Sequence, residues 1–210
     1  MRDLPEKLDI IILRDREIPT PDIVAGQTAF DGLEQELAFK LMTTKHFEND
    51  DVWLESTTAE LATLYLEPNR KKAKRGQAGY DAVGVDFHGV EDRISVKARS
   101  LRSIRRTGRG GKLGYNPNCD SVEFFISGHN FTIRVASVKT SELLDESVAE
   151  SDSRYWKNMK CMPRKVFGDL FEQACDLAEV LDGLTMDEAI ADVDTKEKLM
   201  GHRVHLVSAG

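Results

Sequence analysis

The stretch "GYDAVGVDFHGVEDRISVKARS", residues 79–100, reads as two strands, roughly 80–87 and 92–99, joined by "HGVE". Strand side chains alternate, so in "RISVKAR" Ile94, Val96 and Ala98 share one face. Ser95, Lys97 and Arg99 share the other. The apolar face accounts for the strand; the polar face is free for solvent or for chemistry. A lone lysine there is an edge charge that discourages aggregation. Asp81 and Asp86 are an odd number of residues apart, so they point to opposite faces and only one can join Lys97. Asp81 follows a basic, glycine-containing loop and is the chosen partner, whereas Asp86 suits a turn-flanking cap.

Working outward, "NRKKAKRGQAG" (69–79) is a basic loop, and "LRSIRRTGRGGKLGYNPN" (101–118) is a second, glycine-rich one. "DSVEFFIS" and "FTIRVASV" flank "GHN", a hairpin signal. Upstream, Phe30, Leu33, Leu37 and Leu41 recur at helical spacing and predict a helix over 27–45. "DVWLEST" (51–57) reads as a strand, and "AELATLYLEP" (59–68) as a helix turn or strand ended by Pro68. "LDIIIL" reads as a short strand or helix turn, and Pro19 and Pro21 make "REIPTPDI" extended. Beyond residue 140 the chain is helical and acidic. Val166, Leu170, Phe171, Ala174, Leu177, Ala178 and Leu181 form one stripe, with Gly183 as its C-cap. Thr185 and Glu188 form a capping box. This order predicts an α/β (α+β) fold. It divides into an N-terminal extension (1–26), a core (27–140) and a helical C-terminal extension (141–210).

With 40% hydrophobic and 31% charged residues among 210, the chain has the composition of a globular domain. Its apolar runs are too short to span a bilayer, and no signal peptide opens it, so a cytoplasmic location without membrane contact is expected. Cys119, Cys161 and Cys175 form neither a disulfide framework nor a zinc pattern. His202 and His205 lack a third metal ligand and read as surface or strand. Net charge is −7, unevenly spread. Residues 70–112 carry 13 Lys/Arg against 4 Asp/Glu, a block of +9 between acidic flanks of −9 and −7. That block has the footprint of a phosphate-binding surface. Its candidate backbone contacts are Arg70, Lys71, Lys72, Lys74, Arg75, Arg99, Arg102, Arg105, Arg106, Arg109 and Lys112. "GRGGK" lacks phosphate-loop spacing because Leu113 follows Lys112. "YWKNMKCMPRK" (155–165) mixes aromatics with basic residues and reads as a linker with anchors at Tyr155 and Trp156.

Phosphodiester hydrolysis needs carboxylates to hold Mg²⁺ and a cation to steady the charge that develops. An Asp at the start of one strand, a Lys inside the next and a Glu from a neighbouring helix supply these parts. The arrangement resembles the PD-(D/E)xK nuclease superfamily, which includes restriction endonucleases and Holliday junction resolvases. The matching features run over about 30–138: the helix "GLEQELAFKL", "VWLES", the basic loop, "YDAVGV", "ISVKAR" and "CDSVEFFIS".

The resemblance implies a mixed sheet with helices on both faces and Mg²⁺- or Mn²⁺-dependent cleavage of DNA. It makes Asp81 a metal ligand, Lys97 the catalytic lysine, and Glu34 the helix acid, with Glu36 in reserve. The family usually carries an acid, sometimes Gln, two residues before the lysine; here that residue is Ser95. Three outcomes follow. Asp81, Glu34 and the Val96 carbonyl hold the metal, with Ser95 a weaker contact. Or Glu91, Asp92 or Asp120 replaces the missing acid. Or the domain binds DNA without cutting it. An α/β interaction protein that ignores nucleic acid is the remaining reading. Residues 141–210 would cover the sheet, pair with a second copy as a homodimer, or bind a partner.

Overall fold

A computed structural model describes residues 6–14, 32–46, 51–74, 79–85, 88–109, 113–115, 117–143, 148–149, 160–162, 167 and 169–208. Arg75, Asp86, Lys112, the "REIPTPDI" segment, Tyr155, Trp156 and Val166 lie outside the described residues. The strands are β1 (Asp9–Arg14), β2 (Lys71–Lys72), β3 (Ala82–Val85), β4 (Glu91–Ser100), β5 (Leu113–Tyr115), β6 (Ser121–Ser127), β7 (Phe131–Lys139), β8 (Val148–Ala149), β9 (Lys160–Met162) and β10 (Arg203–Ser208). The helices are α1 (Leu33–His46), α2 (Asp51–Leu66), α3 (Leu101–Thr107), α4 (Thr140–Leu143), α5 (Asp169–Leu181), α6 (Met186–Ala191) and α7 (Val193–Met200).

Seven strands form one mixed sheet in the order β10-β1-β7-β6-β4-β3-β2, and β5-β9-β8 form a small second sheet. The fold is therefore α/β (α+β), as the alternation of strands and helices predicts. β4 and β6 run parallel, joined by the crossover that contains α3, and β1 and β10 are also parallel. β1 and β10 come from the segments read in the sequence as an N-terminal extension and a helical C-terminal extension. These two strands, far apart in sequence, thus lie side by side in the sheet.

Helices cover both faces. On one, Ile10, Ile12, Val122, Phe124, Ile126 and Ile133 pack against Leu101 and Ile104 of α3 and the apolar stripe of α5. Phe124 stacks on Phe167 and Phe171 with ring centroids 5.4 and 5.7 Å away. On the other, Ile11, Leu13, Ala82, Ile94, Val96 and Phe125 pack against Leu37, Ala38 and Leu41 of α1 and Ala59 and Ala62 of α2.

Two local expectations are corrected. The strand predicted over 51–57 is the first half of α2. Its Thr58, Ala59, Ala62 and Thr63 recur at helical spacing and are buried, and that continuous stripe overrides the two-residue alternation of Val52 and Leu54. The loop predicted from residue 101 begins as α3. Ser100 caps it by accepting from the Ser103 N–H at 3.0 Å, while Leu101 and Ile104 are buried. Among the described residues, no helix is long and apolar enough to cross a membrane.

Candidate functional site

β3 pairs with β4 only from Val85↔Glu91 to Ala82↔Ile94. Past Ile94 that side of β4 has no strand partner in the register. Asp81 fills the gap. Its N–H donates to the Ile94 carbonyl at 2.8 Å, and its Oδ2 accepts the Val96 N–H at 2.7 Å. The Ser95 hydroxyl donates to the same oxygen at 3.4 Å, a long and weak bond. Strand alternation sends the Val96 carbonyl to the same edge.

Ser95 pairs with Val122 and Lys97 with Phe124, so both side chains face the α3–α5 side of the sheet, and Asp81 lies opposite Ser95. The structure thus brings Asp81 and Ser95 together, with Lys97 one pleat further on the same face. Burial pushes the Cys119 thiol up, and a Thr140 hydrogen bond and the Lys97 charge oppose that push. Cys119, buried beside the Thr140 hydroxyl, thus feels the Lys97 charge.

Glu34 is not brought to this group. It sits on α1, which packs against the opposite face of the sheet. Its carboxylate acts on Tyr65, whose phenol is raised first by burial and then by the Glu34 charge. Glu36, the reserve, is exposed on the same helix. The apolar stripe of α1 shows which side of the helix packs inward, but not which face of the sheet receives it.

The substitute acids are engaged or exposed. Asp120 forms a two-point pair with Arg93, Nε at 2.8 Å and a terminal nitrogen at 3.0 Å, and takes the Arg93 N–H at 3.0 Å. Those bonds, Arg93's side chain first, hold its carboxyl below the usual range. Asp92 accepts from the Ser121 hydroxyl at 2.8 Å and pairs with Lys139 at 3.0 Å. Glu91 is exposed at the start of β4.

The basic block is partly neutralised from within. Arg70 pairs with Glu123 at 2.6 Å and Lys72 with Glu60 at 3.3 Å. Arg105 pairs with Glu179 and Asp182, and Arg109 with Glu172 and Asp176. Arg70 is therefore a half-buried group engaged by Glu123 within the fold. Lys71, Lys74, Arg102 and Arg106 are exposed, and Arg99 is half-buried on β4.

The sequence reading passed over a second polar cluster. Glu123 is fully buried in β6 and accepts from the Thr63 hydroxyl and from Arg70. Arg134 joins Glu123 at 3.3 Å to Glu67 at 3.0 Å and Asp9 at 2.7 Å, and Arg203 closes on Asp9. A cavity of about 210 Å³ opens here, lined by Asp9, Glu67, Arg70, Arg134, Ser137 and Arg203. A register shift between Phe124 and Phe125 lets Arg134 and Ser137, three residues apart, both line it. A glutamate inside "SVEFFIS" was the available signal, since an acid in a central strand must be paired. Three arginines meet three carboxylates here, and the set is electrically neutral.

Metal fit can be judged from the donors at the β3–β4 edge. Asp81 carboxylate, Ser95 hydroxyl and Val96 carbonyl are all hard oxygen donors, which suit Mg²⁺ or Mn²⁺. They include one carboxylate, and among the described residues no group of three or more His, Cys, Asp or Glu could hold a metal ion. Mg²⁺ is commonly held by one or two carboxylates together with substrate phosphates, and the set fits that mode. No protein-family model matches the chain, and no curated protein matches it.

Proposed function

We propose that the protein is a Mg²⁺- or Mn²⁺-dependent DNA endonuclease of the restriction-endonuclease-like kind. Asp81 is its metal carboxylate and Lys97 its catalytic lysine. The observation that carries this reading is the Asp81 carboxylate held against the Ser95–Val96 peptide, on the face that Lys97 shares. The mixed sheet with helices on both faces adds support.

Asp81, the Ser95 hydroxyl and the Val96 carbonyl would hold the ion, which supplies Lewis-acid polarisation of a phosphate and a water of lowered pKa. Lys97 orients that water and balances the charge that develops on the phosphate. Lys71, Lys74, Arg102 and Arg106 hold the backbone, so binding weakens steeply as salt rises. Glu34 has no part in this arrangement, because α1 lies across the sheet.

The test is a supercoiled plasmid with Mg²⁺ or Mn²⁺. The wild type should nick it, and Lys97→Ala and Asp81→Asn should lower the rate by about 100-fold or more. A wild type that shifts DNA in a gel and leaves it intact under both metals would overturn the enzyme. That outcome establishes the second reading, a DNA-binding module on this fold. It is favoured by Ser95 standing where an acid is needed and by the single carboxylate at the edge.

A further inference from the structure

α5 carries Glu172, Asp176 and Glu179, and Asp182 follows directly after its last residue; the spacings of four, three and three place the four carboxylates in one row. α3 and the turn after it lie alongside. Arg105 donates from Nε to Glu179 at 2.9 Å and from a terminal nitrogen to Asp182 at 2.7 Å. Arg109 meets Glu172 at 2.9 Å and Asp176 at 2.7 Å. Both arginines thus form two ion pairs each with this ladder.

Both arginines belong to the +9 block of an otherwise acidic chain. The pairs are solvent-accessible: Arg105 is 48% exposed, Arg109 38% and Asp176 66%. Exposed pairs of this kind are weak and screened by salt. A dense row of phosphates competes for the same guanidiniums with the added gain of counterion release. Carboxylates along a helix side present the arginines with the chemistry that a nucleic-acid backbone presents.

We propose that α5, with Asp182 just beyond it, is a built-in competitor for DNA: the four carboxylates occupy Arg105 and Arg109, and the backbone must displace them to engage these two arginines. The contact lowers the protein's affinity for nucleic acid and makes full engagement a two-step event. It rests on the DNA reading above, and it goes beyond that reading by assigning an inhibitory role to α5.

Fluorescence anisotropy with a labelled duplex, in chelator and over a range of salt, tests it. The variant Glu172→Gln/Asp176→Asn/Glu179→Gln/Asp182→Asn is compared with the wild type and with an equal-charge control, Glu6→Gln/Asp187→Asn/Asp194→Asn/Glu197→Gln. Circular dichroism checks that each is folded. The ladder variant should bind roughly tenfold tighter than the control at low salt. Its log–log salt dependence should be steeper by about 1.8, for two added phosphate contacts at about 0.9 each. Adding Arg105→Ala and Arg109→Ala to the ladder variant should cancel both changes. A ladder variant no tighter and no steeper than the control overturns the inference, as does a gain that survives loss of the arginines. If the wild type and every variant fail to bind at low salt, the DNA reading itself falls.

Discussion

Asp81 performs a structural task whatever else it does. Pairing with β3 stops at Ile94, and the next N–H on that edge, at Val96, belongs to a residue only 6% exposed. Without an acceptor, a buried N–H costs about 1–3 kcal/mol. Asp81→Ala should therefore lower stability by about that amount, read by denaturant unfolding without metal. Asp81→Asn keeps an acceptor and should lose well under half as much. An alanine variant as stable as the wild type would show that the bond is idle. The comparison also separates folding from catalysis, because asparagine keeps the cap and loses the charge. At this scale the sequence was informative, since strand parity is local and puts Ser95 and Lys97 on one face without knowledge of the rest. It was silent on Glu34, because a helix stripe does not say which side of a sheet it will cover. Gly84 shows a second dependence hidden from sequence. A Cβ there would sit 3.2 Å from the Arg70 side chain, so this strand position leaves room for the arginine that reaches Glu123.

Elements were legible where their signals agreed. β6, β7, α5 and the capping box at α6 follow their apolar pattern and cap residues closely. α2 was misread at its start because Val52, Trp53 and Leu54 favour strands, while the evidence for a helix lay further on, in residues 58–63. α3 was missed because its arginines and serines look like a loop; its two apolar residues and its serine cap decide otherwise. The capping box allows a clean measurement. Thr185 accepts from the Glu188 N–H at 3.0 Å, and Glu188 accepts from the Thr185 N–H at 2.8 Å. Thr185→Ala should cost about 1 kcal/mol. For a chain of this length that lowers Tm by about 2–4 °C, seen by calorimetry. Thr185→Ser should recover most of the loss, and failure to recover would point to packing of the Thr methyl instead.

Across the whole molecule, the network around Arg134 ties together parts that are far apart in sequence: Asp9 on β1, Glu67 beyond α2, Glu123 on β6 and Arg203 on β10. No local pattern announces it, because each member is an ordinary charged residue until the sheet assembles. Removing one member strands the others, so Glu123→Ala should cost about 3–5 kcal/mol, more than a surface pair could. The pH response follows from Asp9. Burial pushes its carboxyl up, but the Arg134 and Arg203 guanidiniums outweigh that, and the net shift is below its ordinary 3.8. The unfolded chain therefore takes up this proton before the folded one does. The stability that Asp9 contributes is complete above 3.8 and is lost as pH falls through the lowered folded-state value. Asp9→Asn should be less stable than the wild type at neutral pH, since Arg134 and Arg203 lose a charged partner while keeping a polar one. The gap between the two should hold steady down to about pH 5 and then narrow in stronger acid, as the wild-type carboxylate is protonated. Urea midpoints taken at intervals from pH 7 to pH 2 would display it. A gap that stays constant across that range would mean that Asp9 acts through shape and hydrogen bonding rather than charge.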